Sequence, residues 1–270
     1  MNKKSFVDTE FLNDVGFEQI KTHLIDNVSC TENINYFNTI HPIYNEIKLK
    51  TDFSYTHEFF NSLMRKENLP TPRLNDLSGT LKSLSIKDSI LEIHEFMQIR
   101  KMINYYFRLK KIITSKNFKI WSNLINLLDN PEVIAKKIDK IINEQSGVKR
   151  NASKKFYEIN TSIKNVNYKI ESKLNSELEK YKKLGYLRQD KPVFRSGKLM
   201  LAINTSNKSK VKGIIDGFSA TRQTCFILPQ ALVERTNELN ELLSHRDKEI
   251  VRIFKKLTKD ISEYHKNILD

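Results

Sequence analysis

Apolar residues recur at alternating spacings of three and four over one long segment of the chain, a pattern typical of a single apolar stripe on a helix. We therefore predict an ascending helix over residues 151–190, and its 38 residues from 151 to 188 would extend about 57 Å. A comparable stripe predicts a descending helix over residues 230–270. The first stripe consists of Phe156, Ile159, Ile163, Val166, Ile170, Leu174, Leu178 and Tyr181, and the second of Leu232, Leu239, Leu243, Ile250, Ile253, Leu257 and Ile261.

Between these two helices, over residues 191–229, the apolar period changes from 3.6 to 2, which indicates β-strands. Ser196 and Gly197 lie between two such runs and predict a hairpin turn. Two further short strands are expected at residues 211–215 and 224–228, and Pro229 is expected to start the returning helix. The pattern predicts an antiparallel coiled coil with a small β insert at its tip.

Residues 1–150 show shorter helical patterns and are predicted to form a helical core domain. Helices are expected at 16–28, 42–66, 118–128 and 131–143, with Pro70 and Pro72 closing the second and Gly147 stopping the last. A link is expected over 73–85, and Asp88 is expected to cap a strong amphipathic helix that follows it. The predicted fold class is mainly α, with domains at 1–150, 151–190, 191–229 and 230–270.

Charge is unevenly distributed along the 270 residues, whose formal net charge is +14. Residues 1–90 carry 10 basic and 12 acidic side chains, so the surplus belongs to the rest of the chain. The predicted β insert alone carries 7 Lys or Arg and 1 acidic residue. This excess favours a polyanionic partner, although lysines that merely keep a surface soluble are an open alternative.

Several functional classes find no support in the sequence. The N-terminus lacks the apolar run of a secretory signal, no stretch approaches the ~18 apolar residues of a membrane span, and Cys30 and Cys225 are expected to be reduced. We therefore expect a cytoplasmic protein without membrane contact. The histidines stand singly and no pair of carboxylates is marked out, so neither catalysis by this chain alone nor a metal site is expected.

The order of motifs from the hairpin onward resembles the clamp and descending lever of the MutS family. It is most similar to the type-two paralogue, which is associated with recombination control and rescue of collided ribosomes. The resemblance rests on Lys208 to Ile215, Ser219 to Thr221, Thr224 to Pro229 and Val233 to Glu241, with Asn151 to Ser153 and Val15 to Glu18 upstream. It implies a nucleic-acid clamp on two lever helices, which in the family closes as a dimer under the control of ATP.

The chain also departs from that family's pattern. Where the family typically has Gly-Ile-Val-His-Asp-x-Ser-Ala-Ser-Gly-x-Thr, residues 213–224 lack the His-Asp pair and carry Arg222 at the second Gly. No Gly-x-x-x-x-Gly-Lys-Ser/Thr loop is present, so ATP and magnesium are expected only in a missing C-terminal domain. We expect the N-terminal part of a larger ATPase, as a cut piece or a truncated relative.

The sequence thus predicts a clamp that grips branched or duplex DNA, or structured RNA such as ribosomal RNA, by backbone charge and shape. A homodimer is possible. The alternative is a coiled-coil arm for protein interaction or dimerisation that makes no direct contact with nucleic acid. The candidate binding residues are Arg195, Lys198, Lys208, Lys210, Lys212 and Arg222.

Overall fold

The computed structural model describes residues 9–28, 31–66, 77–116, 118–128, 130–145 and 147–264. The chain divides into two compact units, one formed by Met1–Gly147 with Phe254–Asp270 and the other by Val148–Ile253. Each unit has a hydrophobic core of its own, and the fold is mainly helical with small antiparallel sheets.

The first unit is built from short and medium helices followed by a two-stranded sheet. Phe96, Ile99 and Ile103 on its longest helix are almost completely buried, and the ring of Phe254 meets that of Phe96 edge to face at 5.5 Å. The elements are α1 (Thr9–Asp14), α2 (Phe17–Asp26), α3 (Thr31–Asn38), α4 (Glu46–Met64), α5 (Ser78–Ser85), α6 (Ile93–Ser115), α7 (Lys119–Leu127), α8 (Glu132–Ile141), β1 (Ile142–Asn143) and β2 (Gly147–Val148).

Two expectations for this unit are wrong. Much of the predicted link over 73–85 is the helix α5, in which Thr80 and Leu84 are buried, as is the N-cap residue Leu77. Asp88 does not cap α6, because its φ is +63° and its carboxylate pairs with Lys255 at 2.9 Å. The helix begins after Glu92, whose backbone N–H donates to Glu95 Oε2 at 2.8 Å. The helix end expected at Pro70 and Pro72 lies outside the described residues.

The second unit places a four-stranded sheet between two long helices in the sequence. The neighbour order in the sheet is β3-β4-β6-β5, and each neighbouring pair is antiparallel. Pro229 ends the last strand rather than starting the returning helix, since it still pairs with Gly213. The elements are α9 (Lys154–Lys183), β3 (Val193–Arg195), β4 (Lys198–Asn204), a 3-10 helix (Thr205–Lys210), β5 (Gly213–Phe218), β6 (Thr224–Pro229) and α10 (Gln230–Ser262).

The apolar stripe predicted for the first long helix is confirmed as its buried face. Seven of its eight residues are buried in α9, and Ile163 is half-buried. Leu174, Leu178 and Tyr181 near the end of α9 share one buried cluster with Leu232 at the beginning of α10. At the other end, the N-cap residue Ser153 donates to Glu249. Because the end of α9 meets the beginning of α10 and the start of α9 meets a later part of α10, the two helices run in opposite directions within the unit.

Candidate functional site

A two-residue hairpin turn joins β3 to β4 at one end of the sheet. Ser196 and Gly197 have φ values of +48° and +73°, and Arg195 pairs with Lys198 across the turn. Positive φ at both central positions is the geometry of a type I′ turn, whose twist matches that of the flanking strands. The turn predicted from Ser196 and Gly197 is therefore confirmed.

Asp216, in the bulge of β5, fastens this hairpin to the opposite edge of the sheet. Its Oδ2 accepts a hydrogen bond from Arg195 Nε at 3.2 Å and another from Ser196 Oγ at 2.9 Å. The Arg195 guanidinium lies 4.7 Å from the centre of the Phe226 ring. A Cβ at position 217 would lie 3.2 Å from Arg195 Nη2, so Gly217 leaves the room that this arrangement needs. Arg195 is thus engaged within the insert.

This pairing leaves most of the positive charge of the insert without a carboxylate partner. Asp216 is the one acidic residue between 191 and 229, and Arg195 occupies it. Within the described part of the chain, no ion pair involves the other six basic residues of the insert. These six are Lys191, Lys198, Lys208, Lys210, Lys212 and Arg222.

Three of the predicted site residues lie toward the end of the sheet where β4 finishes and β6 begins. Lys208 and Lys210 are exposed in the segment that leaves β4, with their ammonium groups 5.5 Å and 5.2 Å from the ring centres of Phe218 and Tyr186. Thr205, which starts this segment, donates through Oγ1 to the carbonyl of Arg222 at 2.7 Å. We call Lys208, Lys210 and Arg222, with the neighbouring Arg188, the basic end of the insert.

Arg188 also lies at this end of the sheet, although no sequence motif marks it. Its backbone N–H donates to the carbonyl of Ala202, and its Nη2 lies 3.5 Å from Gln223 Oε1, next to Arg222. It is exposed. Because it precedes the strands in sequence, only the pairing of Leu187 with Ile203 brings it to this end of the sheet.

The other predicted site residues lie at the hairpin end of the sheet. Lys198 is the first residue of β4 and Asn204 is the last. Asn204 pairs with Thr224, which follows the turn that contains Arg222. Six residues of strand separate the two ends by about 20 Å. Lys212 also belongs to the hairpin end, because the next residue, Gly213, pairs with Pro229. The six candidate residues therefore form two groups rather than one cluster.

Arg222 is held in a backbone conformation that non-glycine residues rarely adopt. Its φ is +56°, its N–H donates to the carbonyl of Ser219 at 2.9 Å, and Ser219 also accepts a hydrogen bond from Thr224 N through its hydroxyl. The left-handed region costs an L-residue with a Cβ about 1 to 2 kcal/mol. Glycine would avoid this strain because it has no Cβ. Arg222 instead places an exposed, positively charged side chain at a strained position.

The described residues include one thiol and no cluster of metal-ligating side chains. Burial raises the pKa of the Cys225 thiol above its ordinary value, and Cys30 lies outside the described residues. Where the structure describes the chain, no three His, Cys, Asp or Glu side chains come together as a metal site. Among the described helices, none combines the length and apolar character needed to cross a membrane.

Comparison with known proteins gives a consistent set of relatives. No protein-family model matches the chain. It is 25% identical over 265 residues to Endonuclease MutS2 of Caldicellulosiruptor bescii, covering 98% of this chain and 33% of that protein. The same name belongs to relatives in Lactococcus lactis, 26% identical over 269 residues with 98% and 33% covered, and in Aquifex aeolicus, 22% identical over 276 residues with 100% and 34% covered.

The chain spans about a third of the length of these curated relatives. The similarity extends over almost the whole of this chain and relates it to proteins named Endonuclease MutS2. This agrees with the family resemblance that the motifs from Lys208 to Glu241 indicate.

Proposed function

We propose that this chain binds nucleic acid as the lever and clamp region of a MutS-type protein. The β insert between α9 and α10 would be the clamp, and the two antiparallel helices would be the levers that carry it. Its target would be branched or duplex DNA, or structured RNA, held through backbone charge and shape.

One observation carries this proposal: the single carboxylate of the insert is occupied by Arg195 and Ser196, which leaves six basic residues unopposed. Lys208, Lys210 and Arg222 are exposed at one end of the sheet and Lys212 at the other. A phosphate contact by such residues adds affinity through counterion release but reads no base sequence. A sequence-independent grip is what this surface favours.

The proposed role of the chain is grip and reach rather than hydrolysis. ATP and magnesium would act in a part of the larger MutS-type protein that lies outside the matched third. A homodimer would bring two such insert surfaces to one nucleic acid.

Equilibrium binding at several salt concentrations tests the proposal. The purified chain is titrated into fluorescein-labelled four-way junction DNA, linear duplex and a structured RNA of matched length, and anisotropy is recorded between 50 and 300 mM KCl. We expect log affinity to fall linearly with log salt, by about 0.9 per phosphate contact on duplex DNA. Affinity that does not change with salt, or no binding to any probe, would contradict the proposal.

The second candidate is a protein-interaction or dimerisation role, which a feature of the first unit favours. Apolar side chains form one exposed stripe along α4, where Phe53, Phe60 and Met64 are 64%, 55% and 68% exposed. Exposed apolar patches of this kind mark protein contacts. Sedimentation of the chain, alone and mixed with nucleic acid, separates the candidates. A dimer that forms equally at low and high salt and binds no nucleic acid supports the second.

A further inference from the structure

An aromatic side chain projects from the hairpin of the insert instead of packing into a core. Phe194, in the middle of β3, is 72% exposed, whereas Leu199, its partner across the hairpin, packs against the buried cluster of the unit. Burying a phenylalanine side chain stabilises a fold by about 1.5 to 3 kcal/mol. The exposed ring of Phe194 does not make this contribution to stability.

The backbone that carries Phe194 is firmly held. The residue that follows it, Arg195, is fixed to Asp216 and to the ring of Phe226, and Ser196 donates to the same carboxylate. The type I′ turn at Ser196 and Gly197 fixes β3 relative to β4, the next strand. Little conformational freedom remains for this strand to lose on binding, which is the condition for an efficient aromatic contact.

Lysines lie near Phe194 in the sequence, in the strand register or at the same end of the sheet. Lys191 precedes it, Lys198 lies one register position away across the turn, and Lys212 lies at the same end of the sheet. None of these lysines has an ion-pair partner among the described residues. An exposed aromatic ring on a hairpin that also carries unpaired cations suits a nucleic acid, whose bases stack on aromatic rings and whose phosphates attract cations.

From this arrangement we propose that Phe194 stacks on an unstacked nucleobase, so that the hairpin end distinguishes branched or unpaired nucleic acid from regular duplex. The inference rests on the proposed function and names its substrate class. The shared chemistry is a base with a free face, whether in DNA or in RNA. A regular duplex offers such a face only after a step has been unstacked, which costs a few kcal/mol.

The test compares Phe194→Ala with the wild-type chain on three probes: a linear duplex, the same duplex with a three-nucleotide bulge, and an RNA version of the bulged probe. Base stacking on an aromatic residue is worth enough that the variant should lose about tenfold in affinity for the bulged probes. Affinity for the duplex should change less than twofold. The slope of log affinity against log salt should not change, since no charge is removed.

Tyr168→Ala is the matched control, because Tyr168 on α9 is an aromatic residue with 74% exposure. It should leave binding to all probes unchanged. Phe194→Trp should keep the preference for the bulge and add an indole whose fluorescence falls on binding the bulged probe. The wild-type chain, with Trp121 as its one tryptophan, should show no such quenching. A larger loss of affinity on bulged DNA than on bulged RNA identifies DNA as the target, and the opposite difference identifies RNA.

An equal loss on duplex and bulge, or no loss on either bulged probe, overturns the inference and leaves the charge-based grip intact. A wild-type chain that binds none of the probes refutes the proposed function itself. Far-UV circular dichroism of Phe194→Ala should match the wild type because the side chain is exposed. A Phe194→Leu variant, also without an aromatic face, should reproduce the loss in a folded chain.

Discussion

The hydroxyl of Ser153 donates to the carboxylate of Glu249 at 2.7 Å, across 96 positions of sequence. The same hydroxyl accepts from Phe156 N and so caps α9, while Arg252 Nε and Nη2 donate to Glu249 at 2.8 and 2.6 Å. The Glu249 side chain is only 1% exposed. One buried carboxylate thus ties the first turn of α9 to α10 and fixes their relative register.

Glu249→Gln should destabilise the chain at neutral pH. Hydrogen bonds from Arg252, and then from Ser153, lower the pKa of Glu249 from its usual 4.5 to about 2. Because the folded state depresses this pKa, the carboxylate stabilises the fold above about pH 4.5, and this contribution disappears as the pH falls toward 2. The loss at pH 7 should be about 1.5 to 3 kcal/mol, the usual range for hydrogen bonds to charged groups.

Urea unfolding of wild type and Glu249→Gln between pH 7 and pH 3 measures this effect. The gap between their unfolding free energies should narrow as the pH falls below about 4.5. Glu241→Gln is the control, because Glu241 is exposed on the same helix and has no ion pair among the described residues. A constant gap across the pH range would show that Glu249 acts through shape and not through charge.

The long helices and the insert were predictable because their signals are local. The spacing from Phe156 to Tyr181 identifies the buried face of α9, and Ser196 with Gly197 identifies the turn. Helix and hairpin periodicity need only neighbouring residues. The similarity to MutS2 proteins was also accessible from sequence, because it rests on the order of motifs from Lys208 to Glu241.

The failures depend on contacts between distant segments. Asp88 looks like a helix cap in sequence, but Lys255 attracts its carboxylate and its backbone turns left-handed. The helix α5 was not predictable because it contains Gly79 and several serines and has few buried residues to form an apolar pattern. The pairing of Arg195 with Asp216 was likewise not predictable, because the two residues are 21 positions apart in sequence. The domain boundaries and the roles of the candidate residues remain predictions.

Replacing Lys208, Lys210 and Lys212 together with Ala should weaken binding to branched or duplex DNA. Loss of three phosphate contacts should lower the slope of log affinity against log salt by about 2 to 3 units, at about 0.9 per contact. Stability should fall slightly, because the contacts of Lys208 and Lys210 with aromatic rings are worth about 0.5 to 1 kcal/mol each at exposed sites. Anisotropy titrations at several salt concentrations give the slope.

A charge-matched comparison separates the insert from the helix. Lys208→Ala with Lys210→Ala is set against Lys164→Ala with Lys169→Ala, since the second pair is exposed on α9. The insert pair should change the slope by about 2, and the helix pair should change it less. Equal losses would remove the clamp proposal and favour the protein-docking arm.

The chain should not bind ATP saturably. A phosphate-cradling loop needs backbone N–H groups, a lysine and a magnesium-holding hydroxyl in one short segment. The nearest candidate, Lys210 to Gly213, has no glycine at the required upstream position, and Ile214 follows where the loop needs lysine. Isothermal titration with ATP and magnesium should show no saturable heat, and a defined dissociation constant would contradict the prediction.

Arg222→Gly should separate stability from binding. Glycine adopts the observed φ of +56° without a Cβ penalty, so relief of about 1 kcal/mol of strain should offset or exceed the extra freedom of the unfolded chain. The variant should therefore be as stable as wild type or up to about 1 kcal/mol more stable. Its affinity for junction DNA should nevertheless fall, because one exposed phosphate contact is lost.

Two companion variants isolate the cause of that fall. Arg222→Lys keeps the charge and the left-handed strain, so it should bind nearly as well as wild type. Arg222→Ala removes the charge and keeps the strain, so it should lose affinity while its stability stays close to that of wild type. Chemical denaturation and salt-dependent anisotropy on the same preparations give both quantities. If Arg222→Gly gains stability and keeps full affinity, the side chain serves no phosphate contact, and the basic end of the insert acts through Arg188, Lys208 and Lys210 alone.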